Sequence, residues 1–182
     1  LGHAVLCAKN FVGNEPFAIL YGDDVFISDK EPVTKQLIDA YEKYGKGVVG
    51  VKEVPTKDVS KYCSLKVEEI EDKVFNCTDM IEKPKPEEIF SNYSILGRVV
   101  MPPEIFDILE NTPKGAGGEL QLTDAMKTLA QTKGVIALDY DGTRYDMGNK
   151  MGIMKANCEV ALKHPEIAEE FKAYIKELVK TL

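Results

Sequence analysis

The sequence predicts a single α/β domain built on a mostly parallel sheet with helices on its faces. Strand and helix signals alternate along the 182 residues, which is the pattern that such a sheet and its helical crossovers produce. Hydrophobic residues make up 44% of the chain, enough for one compact core. We therefore expect one domain over residues 1–182, with a hairpin insertion at about 60–83 and C-terminal helices over 149–182.

The first part of the chain alternates between helix and strand. LGHAVLCA predicts a helix with an apolar face, and the run Ala18–Tyr21 predicts a buried parallel strand. Pro32 opens a helix that ends at Gly45, because proline is favoured in the first helical turn and glycine just after the last. Residues 47–54 then predict a second strand, GVVGVKEV.

The rest of the chain begins with two strands around a charged turn, SLKVEEIEDKVFNCTDMIEKP, which predict a hairpin. A further strand over 91–101 runs into a proline pair that opens the short helix EIFDILEN. The loop KGAGG leads into the helix ELQLTDAMKTLAQ. Asp141-Gly142 predicts a hairpin turn between two short strands, and two helices complete the chain.

The charge balance and the cysteines exclude several classes of protein. A net charge of -7 argues against a partner that is a nucleic acid polymer or an acidic membrane, since those require a basic surface. No apolar run is long enough to cross a membrane, and these residues show no signal-peptide pattern. The 4 cysteines lie far apart without a CxxC pair, which is typical of reduced thiols in a cytoplasmic protein.

Three aspartates are candidates for a metal site. Asp23 and Asp24 follow one predicted strand and Asp146 ends another, and ligands of open α/β sheets bind at the carboxyl ends of strands. Carboxylate oxygens from separate strands, with water and phosphate completing the shell, suit Mg²⁺. The alternative is that Asp23 and Asp24 turn the chain or cap a loop.

A second group of candidates binds sugar and phosphate. Glu82 can accept two sugar hydroxyls, and the ammonium of Lys83 can hold a phosphate. Gly97, inside a strand, indicates the close approach of a ligand or of another backbone. The alternative makes EKPKP a charged exit from the hairpin and Gly97 a bulge.

The third group is GAGGELQLTDA. Gly117 and Gly118 leave backbone exposed beside a helix start, where polar ligands can be held. The polar residues that follow are equally consistent with helix-start chemistry and solvent-facing side chains; they are Glu119, Gln121, Thr123 and Asp124. The sequence GTR around Arg144 follows Asp141 in the predicted hairpin turn, so we interpret it as a turn and not as a phosphate loop.

These pieces occur together in one order: YGDD, EKPKP, NYSILGRVVMPPEIFDILENT, GAGGELQLTDA and RYDMGNKMGIMKAN. In that order the chain strongly resembles the bacterial UTP–glucose-1-phosphate uridylyltransferases, which are sugar nucleotidyltransferases. The resemblance runs through essentially the whole chain and favours the glucose-specific type over the thymidylyl and adenylyl relatives. It implies a Rossmann-like, GT-A-like fold with a mixed, mainly parallel sheet flanked by helices.

The resemblance also implies an activity, transfer of UMP from UTP to glucose 1-phosphate with Mg²⁺ to give UDP-glucose and pyrophosphate. By that analogy Asp23, Lys83 and Asp146 are catalytic, with Asp23 and Asp146 as the metal ligands. The further substrate-binding residues that it implies are Gly2, His3, Gly22, Asp24, Glu82, Gly97, Gly118, Glu119 and Lys150.

The chain departs from the family at its start. A glycine-rich GTR…PK loop for the triphosphate and a glutamine-containing segment that reads the base come first in the family, and neither is present here. We therefore expect an N-terminally truncated domain that is inactive or nearly so by itself. Homo-oligomers are expected from the resemblance, and exposed sheet edge favours association between chains.

Other functions remain open from the sequence. The missing base-reading segment leaves room for a nucleotidyltransferase that uses dTTP, CTP or ATP. A non-catalytic sugar-nucleotide binding module would keep Glu82, Lys83 and Gly97 but would not need Asp23 and Asp146. A purely structural role predicts that neither Mg²⁺ nor UDP-glucose changes the melting temperature.

Overall fold

The computed structural model describes residues 1–181. The chain forms two compact units. The first unit contains residues 1–21 and 27–142, and the second contains residues 22–26 and the chain from 143 onward.

The first unit is built on a six-stranded sheet in the order β1-β6-β3-β7-β5-β4. Its strands are β1 (Phe17–Leu20), β3 (Gly47–Glu53), β4 (Cys63–Glu71), β5 (Val74–Glu82), β6 (Tyr93–Met101) and β7 (Val135–Asp139). A second sheet pairs β2 (Asp24–Ile27) with β8 (Thr143–Asp146). The predicted hairpin is present as the antiparallel pair β4–β5.

The prediction of a mixed sheet flanked by helices is confirmed, but the prediction of a mainly parallel sheet is wrong. Only β3 and β7 pair in parallel among the described strands of the first unit. Strand β6 runs antiparallel to both β1 and β3, and β5 runs antiparallel to both β4 and β7. The apolar pattern of a strand carries no information about its direction, which depends on distant connections.

The prediction of a buried parallel strand at Ala18–Tyr21 is also wrong. Strand β1 lies at one edge of the sheet and pairs antiparallel with β6. Its residues alternate between half-buried and exposed, and Leu20 is 53% exposed. A short apolar run predicts a strand correctly, but it does not distinguish an edge position from a central one.

Helices cover the sheet of the first unit. They are α1 (Gly2–Cys7), α2 (Lys9–Val12), α3 (Val33–Tyr44), α4 (Thr56–Val59), α5 (Glu104–Asn111) and α6 (Leu122–Lys133), with short 3-10 turns at Pro86–Glu88 and Ala116–Gly118. Helix α3 ends at Gly45, which is left-handed at φ 63° as the sequence predicts. Helices α5 and α6 bury Phe106, Leu109, Met126 and Leu129 in one core cluster with strand residues.

The second unit holds β8 and two helices, α7 (Lys150–Lys163) and α8 (Ala168–Val179). The hairpin predicted at Asp141-Gly142 is wrong, because β7 belongs to the six-stranded sheet and β8 pairs with β2. A turn signal is local and does not decide which strand the chain joins next. Within residues 1–181, no helix has the length and apolar character that crossing a membrane requires.

Candidate functional site

A pocket of about 270 Å³ lies in the first unit where β5 ends. Glu82, the last residue of β5, and Lys83, directly after it, both line this pocket. The start of α6 and the loop before it supply the facing wall. The other lining residues are Leu1, Tyr21, Lys61, Tyr62, Cys63, Ile95, Glu119, Gln121, Leu122, Thr123 and Met126. The structure thus brings Glu82, Lys83 and Glu119, three of the residues predicted from the sequence, into one pocket.

Lys83 adopts an unusual backbone conformation. Its φ is 47°, in the left-handed region that residues other than glycine rarely occupy. The Lys83 N–H donates a hydrogen bond to the Tyr62 carbonyl at 2.7 Å, which holds this conformation at the end of the hairpin. Backbone strain of this kind persists where the surrounding structure imposes it, and it is concentrated at functional sites.

The loop that carries Glu119 is fixed by glycines. Gly115 N–H donates to the Glu119 carbonyl at 2.9 Å, and Gly2 N–H donates to the Leu120 carbonyl at 3.0 Å. A Cβ atom on Gly2 would lie 2.7 Å from the Leu120 carbonyl oxygen, so no side chain fits there. Gly2 therefore packs beneath the loop that forms the pocket wall, while Gly118 is exposed with a φ of 73°.

His3, the neighbour of Gly2, is exposed on α1. Its ring nitrogens lie 3.9 Å from Cys7 Sγ, one helical turn further along. The family resemblance implied a substrate-binding role for both Gly2 and His3. The structure separates their environments, since Gly2 is buried and His3 is exposed.

Gly97 acts as a backbone irregularity that anchors a pocket residue. Its φ is 68°, and the pairing of β3 with β6 shifts register next to it, between Val49 and Val51. The Gly97 carbonyl accepts hydrogen bonds from Tyr21 N–H at 3.1 Å and from Arg98 Nη1 at 2.9 Å. Because Tyr21 lines the pocket, Gly97 acts on the pocket through its carbonyl.

The pocket contains a thiol that is poorly suited to nucleophilic chemistry. Cys63 is buried, and its Sγ accepts a hydrogen bond from the Ile95 N–H at 3.2 Å. Burial raises the pKa of Cys63 to about 12, so the thiol stays protonated near neutral pH. Burial also raises the pKa of Cys77 to about 12.

In the second unit, the adjacent Asp23 and Asp24 have opposite environments. Asp23 is exposed, whereas Asp24, the first residue of β2, is 5% exposed. The Asp24 carboxylate accepts a hydrogen bond from Arg144 Nε. Burial raises the pKa of Asp24 above its ordinary value, although the Arg144 charge opposes that shift. Asp24 is therefore an internal partner of Arg144, and Asp23 is the aspartate that faces solvent.

Asp23 and Asp146 lie around Gly148. A Cβ atom on Gly148 would be 2.9 Å from Asp146 Oδ1 and 3.6 Å from Asp23 Oδ2, so only a residue without a side chain leaves the space between them open. Gly148 N–H donates to Asp146 Oδ1 at 2.8 Å, and Met147 N–H donates to the Asp23 carbonyl at 2.7 Å. The loop after β8 thereby fixes the Asp146 carboxylate and the Asp23 backbone, with both carboxylates next to one small space.

Arg144 also belongs to this cluster, although the sequence around it predicts a turn. Besides Asp24, it approaches Asp146, with Nη2 at 3.9 Å from Oδ2. The signal was present, because residues two apart on a strand share a face and Arg144 stands two before Asp146. Lys150, the first residue of α7, and Gly22, with open space around its Cβ position, are both exposed. Within residues 1–181, no three His, Cys, Asp or Glu side chains form a metal-binding group.

Curated relatives match almost the whole of this chain. It is 47% identical over 178 residues to a UTP–glucose-1-phosphate uridylyltransferase of Staphylococcus epidermidis, covering 98% of this chain and 62% of the relative. It is 43% identical over 180 residues to the UTP–glucose-1-phosphate uridylyltransferase YngB of Bacillus subtilis, covering 99% and 60%. The chain thus spans about three fifths of the length of these relatives. No family model matches it.

Solved structures with the same fold are named UDP-glucose pyrophosphorylases. A UDP-glucose pyrophosphorylase from Acinetobacter baumannii superposes with a TM-score of 0.88 at 36% identity, covering 98% of this chain and 62% of the other. A UDP-glucose pyrophosphorylase complexed with UDP-glucose gives a TM-score of 0.81 at 39% identity, covering 97% and 62%. Over the part of those proteins that it spans, the chain therefore belongs to the family of the UTP–glucose-1-phosphate uridylyltransferases.

Proposed function

We propose that a protein carrying this chain transfers UMP from UTP to glucose 1-phosphate and releases pyrophosphate. The observation that carries the proposal is the pocket at the end of β5, where the acceptor Glu82 and the cation Lys83 stand side by side. A carboxylate beside an ammonium suits a ligand with hydroxyl groups at one end and phosphate at the other. The names of the relatives support the same substrates.

In this proposal the pocket residues bind and orient the sugar phosphate. Glu82 accepts hydrogen bonds from glucose hydroxyls, and Lys83 holds the phosphate. Glu119 adds a second carboxylate to the wall that faces them. Gly2 and Gly97 act through the backbone, since they position the Glu119 loop and Tyr21 respectively.

The residues of the second unit fit a divalent cation. Asp23 and Asp146 provide two carboxylates around the space that Gly148 leaves open. Mg²⁺ is usually held by one or two carboxylates together with substrate phosphates, so this pair of carboxylates suits it. When bound, Mg²⁺ would neutralise charge on the nucleotide phosphates. Arg144, held by Asp24, offsets the negative charge of this cluster.

The reaction needs positioning more than it needs an acid or a base. An oxygen of the sugar phosphate attacks the α-phosphorus of UTP, the bond to the β-phosphate oxygen breaks, and pyrophosphate leaves. The phosphate oxygen is already anionic, so no general base has to activate it. Alignment and charge neutralisation supply the catalysis. The protonated Cys63 thiol in the pocket is consistent with a mechanism that forms no covalent enzyme intermediate.

We further propose that residues 1–182 alone turn over slowly or not at all. The chain spans 62% of the relatives' length, and it lacks the GTR…PK loop that the family uses for the triphosphate. The identity of the nucleotide is proposed for the same reason, and the names of the relatives support UTP. A cytoplasmic location and a homo-oligomeric state are proposed on the family resemblance.

The test measures pyrophosphate release from UTP and glucose 1-phosphate with Mg²⁺, together with the melting temperature of the chain in UDP-glucose. We expect almost no release and a rise in melting temperature, since the residues that line the pocket all belong to the first unit. Release at an ordinary enzymatic rate, with intact mass excluding longer chains, would contradict the proposed need for the triphosphate loop. An unchanged melting temperature would contradict the proposed binding of UDP-glucose by this chain.

A further inference from the structure

One hydrogen bond connects Glu82 to helix α6. Thr123 Oγ1 donates to Glu82 Oε2 at 2.8 Å, joining residues 41 positions apart in the sequence. Thr123 is the second residue of α6, and both side chains line the pocket. The bond fixes one oxygen of the carboxylate, and Glu82 Oε1 has no hydrogen-bond partner among residues 1–181.

The hydrogen bond between Thr123 and Glu82 is the last in a row of polar contacts between α6 and β5. Lys127 Nζ lies 3.2 Å from Asp79 Oδ1, and Gln131 Nε2 lies 3.3 Å from the same oxygen. Thr123, Lys127 and Gln131 are four residues apart, so they share one face of the helix. Asp79 Oδ1 also accepts the Met80 N–H at 2.8 Å, so that carboxylate bonds within the protein. Glu82 differs, because it lines the pocket and, within the described chain, only its Oε2 is engaged by a neighbouring side chain.

We propose that Thr123 is a positioning residue that holds Glu82 for hydroxyl groups of the sugar, an inference that rests on the proposed function. The terminal torsion of a glutamate is broad, so an unrestrained carboxylate samples many orientations. The Thr123 bond selects one of them before the ligand arrives. A pre-oriented acceptor loses less conformational entropy on binding, which favours affinity.

Glu82 and Lys83 are expected to bind opposite ends of the ligand. A carboxylate accepts hydrogen bonds and repels anions, so Glu82 contributes to the sugar end and not to the phosphate. Lys83 contributes to the phosphate end. Loss of the Thr123 bond should therefore weaken the binding of glucose 1-phosphate but not that of inorganic phosphate. General damage to the pocket would weaken the binding of both.

The experiment compares three variants of the 182-residue chain. Thr123→Val removes the hydroxyl and keeps the shape, and Thr123→Ser restores a hydroxyl. Thr128→Val is the matched control, because Thr128 lies on the exposed face of the same helix and its hydroxyl bonds to the Asp124 carbonyl at 3.2 Å. Dissociation constants for glucose 1-phosphate and for inorganic phosphate are measured by isotope-edited NMR titration.

We expect Thr123→Val to raise the dissociation constant for glucose 1-phosphate about tenfold, which is the effect of losing one hydrogen bond to a charged group. Phosphate binding should stay constant, and Thr123→Ser and Thr128→Val should resemble the unmodified chain. Equal affinities in Thr123→Val and the unmodified chain would overturn the inference and leave the proposed function intact. Absence of glucose 1-phosphate binding by the unmodified chain would overturn both.

Discussion

Replacing Lys83 by glycine is expected to stabilise the chain and to remove most of its affinity for phosphate. Lys83 has a φ of 47°, and a left-handed residue with a Cβ atom costs about 1–2 kcal/mol. Glycine adopts this φ without strain but loses more entropy on folding, so the free energy of unfolding should rise by up to about 1 kcal/mol. Loss of the ammonium group should weaken the binding of inorganic phosphate and of glucose 1-phosphate by about 10-fold or more.

Lys73→Gly is the matched control for this result. Lys73 is also left-handed, with a φ of 63°, and lies in the turn between β4 and β5, where it pairs with Asp141. Urea unfolding should show a smaller increase in the free energy of unfolding, because the exposed ion pair with Asp141 is lost. Phosphate affinity should not change. A Lys83→Gly chain that binds phosphate normally would contradict the assigned role of Lys83.

Replacing Gly148 by alanine is expected to impair divalent-cation binding in the second unit. The added methyl group would lie 2.9 Å from Asp146 Oδ1 and 3.6 Å from Asp23 Oδ2, within the space between the carboxylates. Asp146 must then move, and its hydrogen bond from Gly148 N–H at 2.8 Å is disturbed. Disturbing the groups that orient a metal ligand typically costs about 10- to 100-fold in metal affinity.

Mn²⁺ serves as a paramagnetic probe for this prediction. In the unmodified chain it should broaden the amide signals of Asp23 and Asp146, and in Gly148→Ala the same broadening should need about tenfold more Mn²⁺. Asp72→Asn, in the exposed turn between β4 and β5, removes one negative charge elsewhere and should leave the titration unchanged. Equal broadening in Gly148→Ala would exclude a cation between these carboxylates.

The element boundaries of the fold were predictable because they depend on local chemistry. Gly45 ends α3 through its left-handed backbone, and the pattern from Cys63 to Glu82 forms the predicted hairpin. Pairing direction was not predictable in this way. The antiparallel placement of β6 and the separation of β7 from β8 depend on connections between distant segments, for which neither periodicity nor turn signals carry information.

The residues of the candidate site also include some that the sequence predicted and some that it did not. Glu82, Lys83 and Glu119 were named from motifs, and the fold places them in one pocket. Thr123 and Arg144 were assigned to helix-start and turn chemistry. Their contacts with Glu82 and Asp24 join residues that are 41 and 120 positions apart, and only the folded chain brings them together.

The central claim is that the pocket at the end of β5 receives a sugar phosphate. Its most direct test is an amide chemical-shift map of the 182-residue chain titrated with UDP-glucose. We predict saturable shifts that centre on Glu82, Lys83 and Thr123. Shifts confined to other surfaces, such as the cleft lined by Asn111 and Gln131, or no shifts at millimolar UDP-glucose, would contradict it.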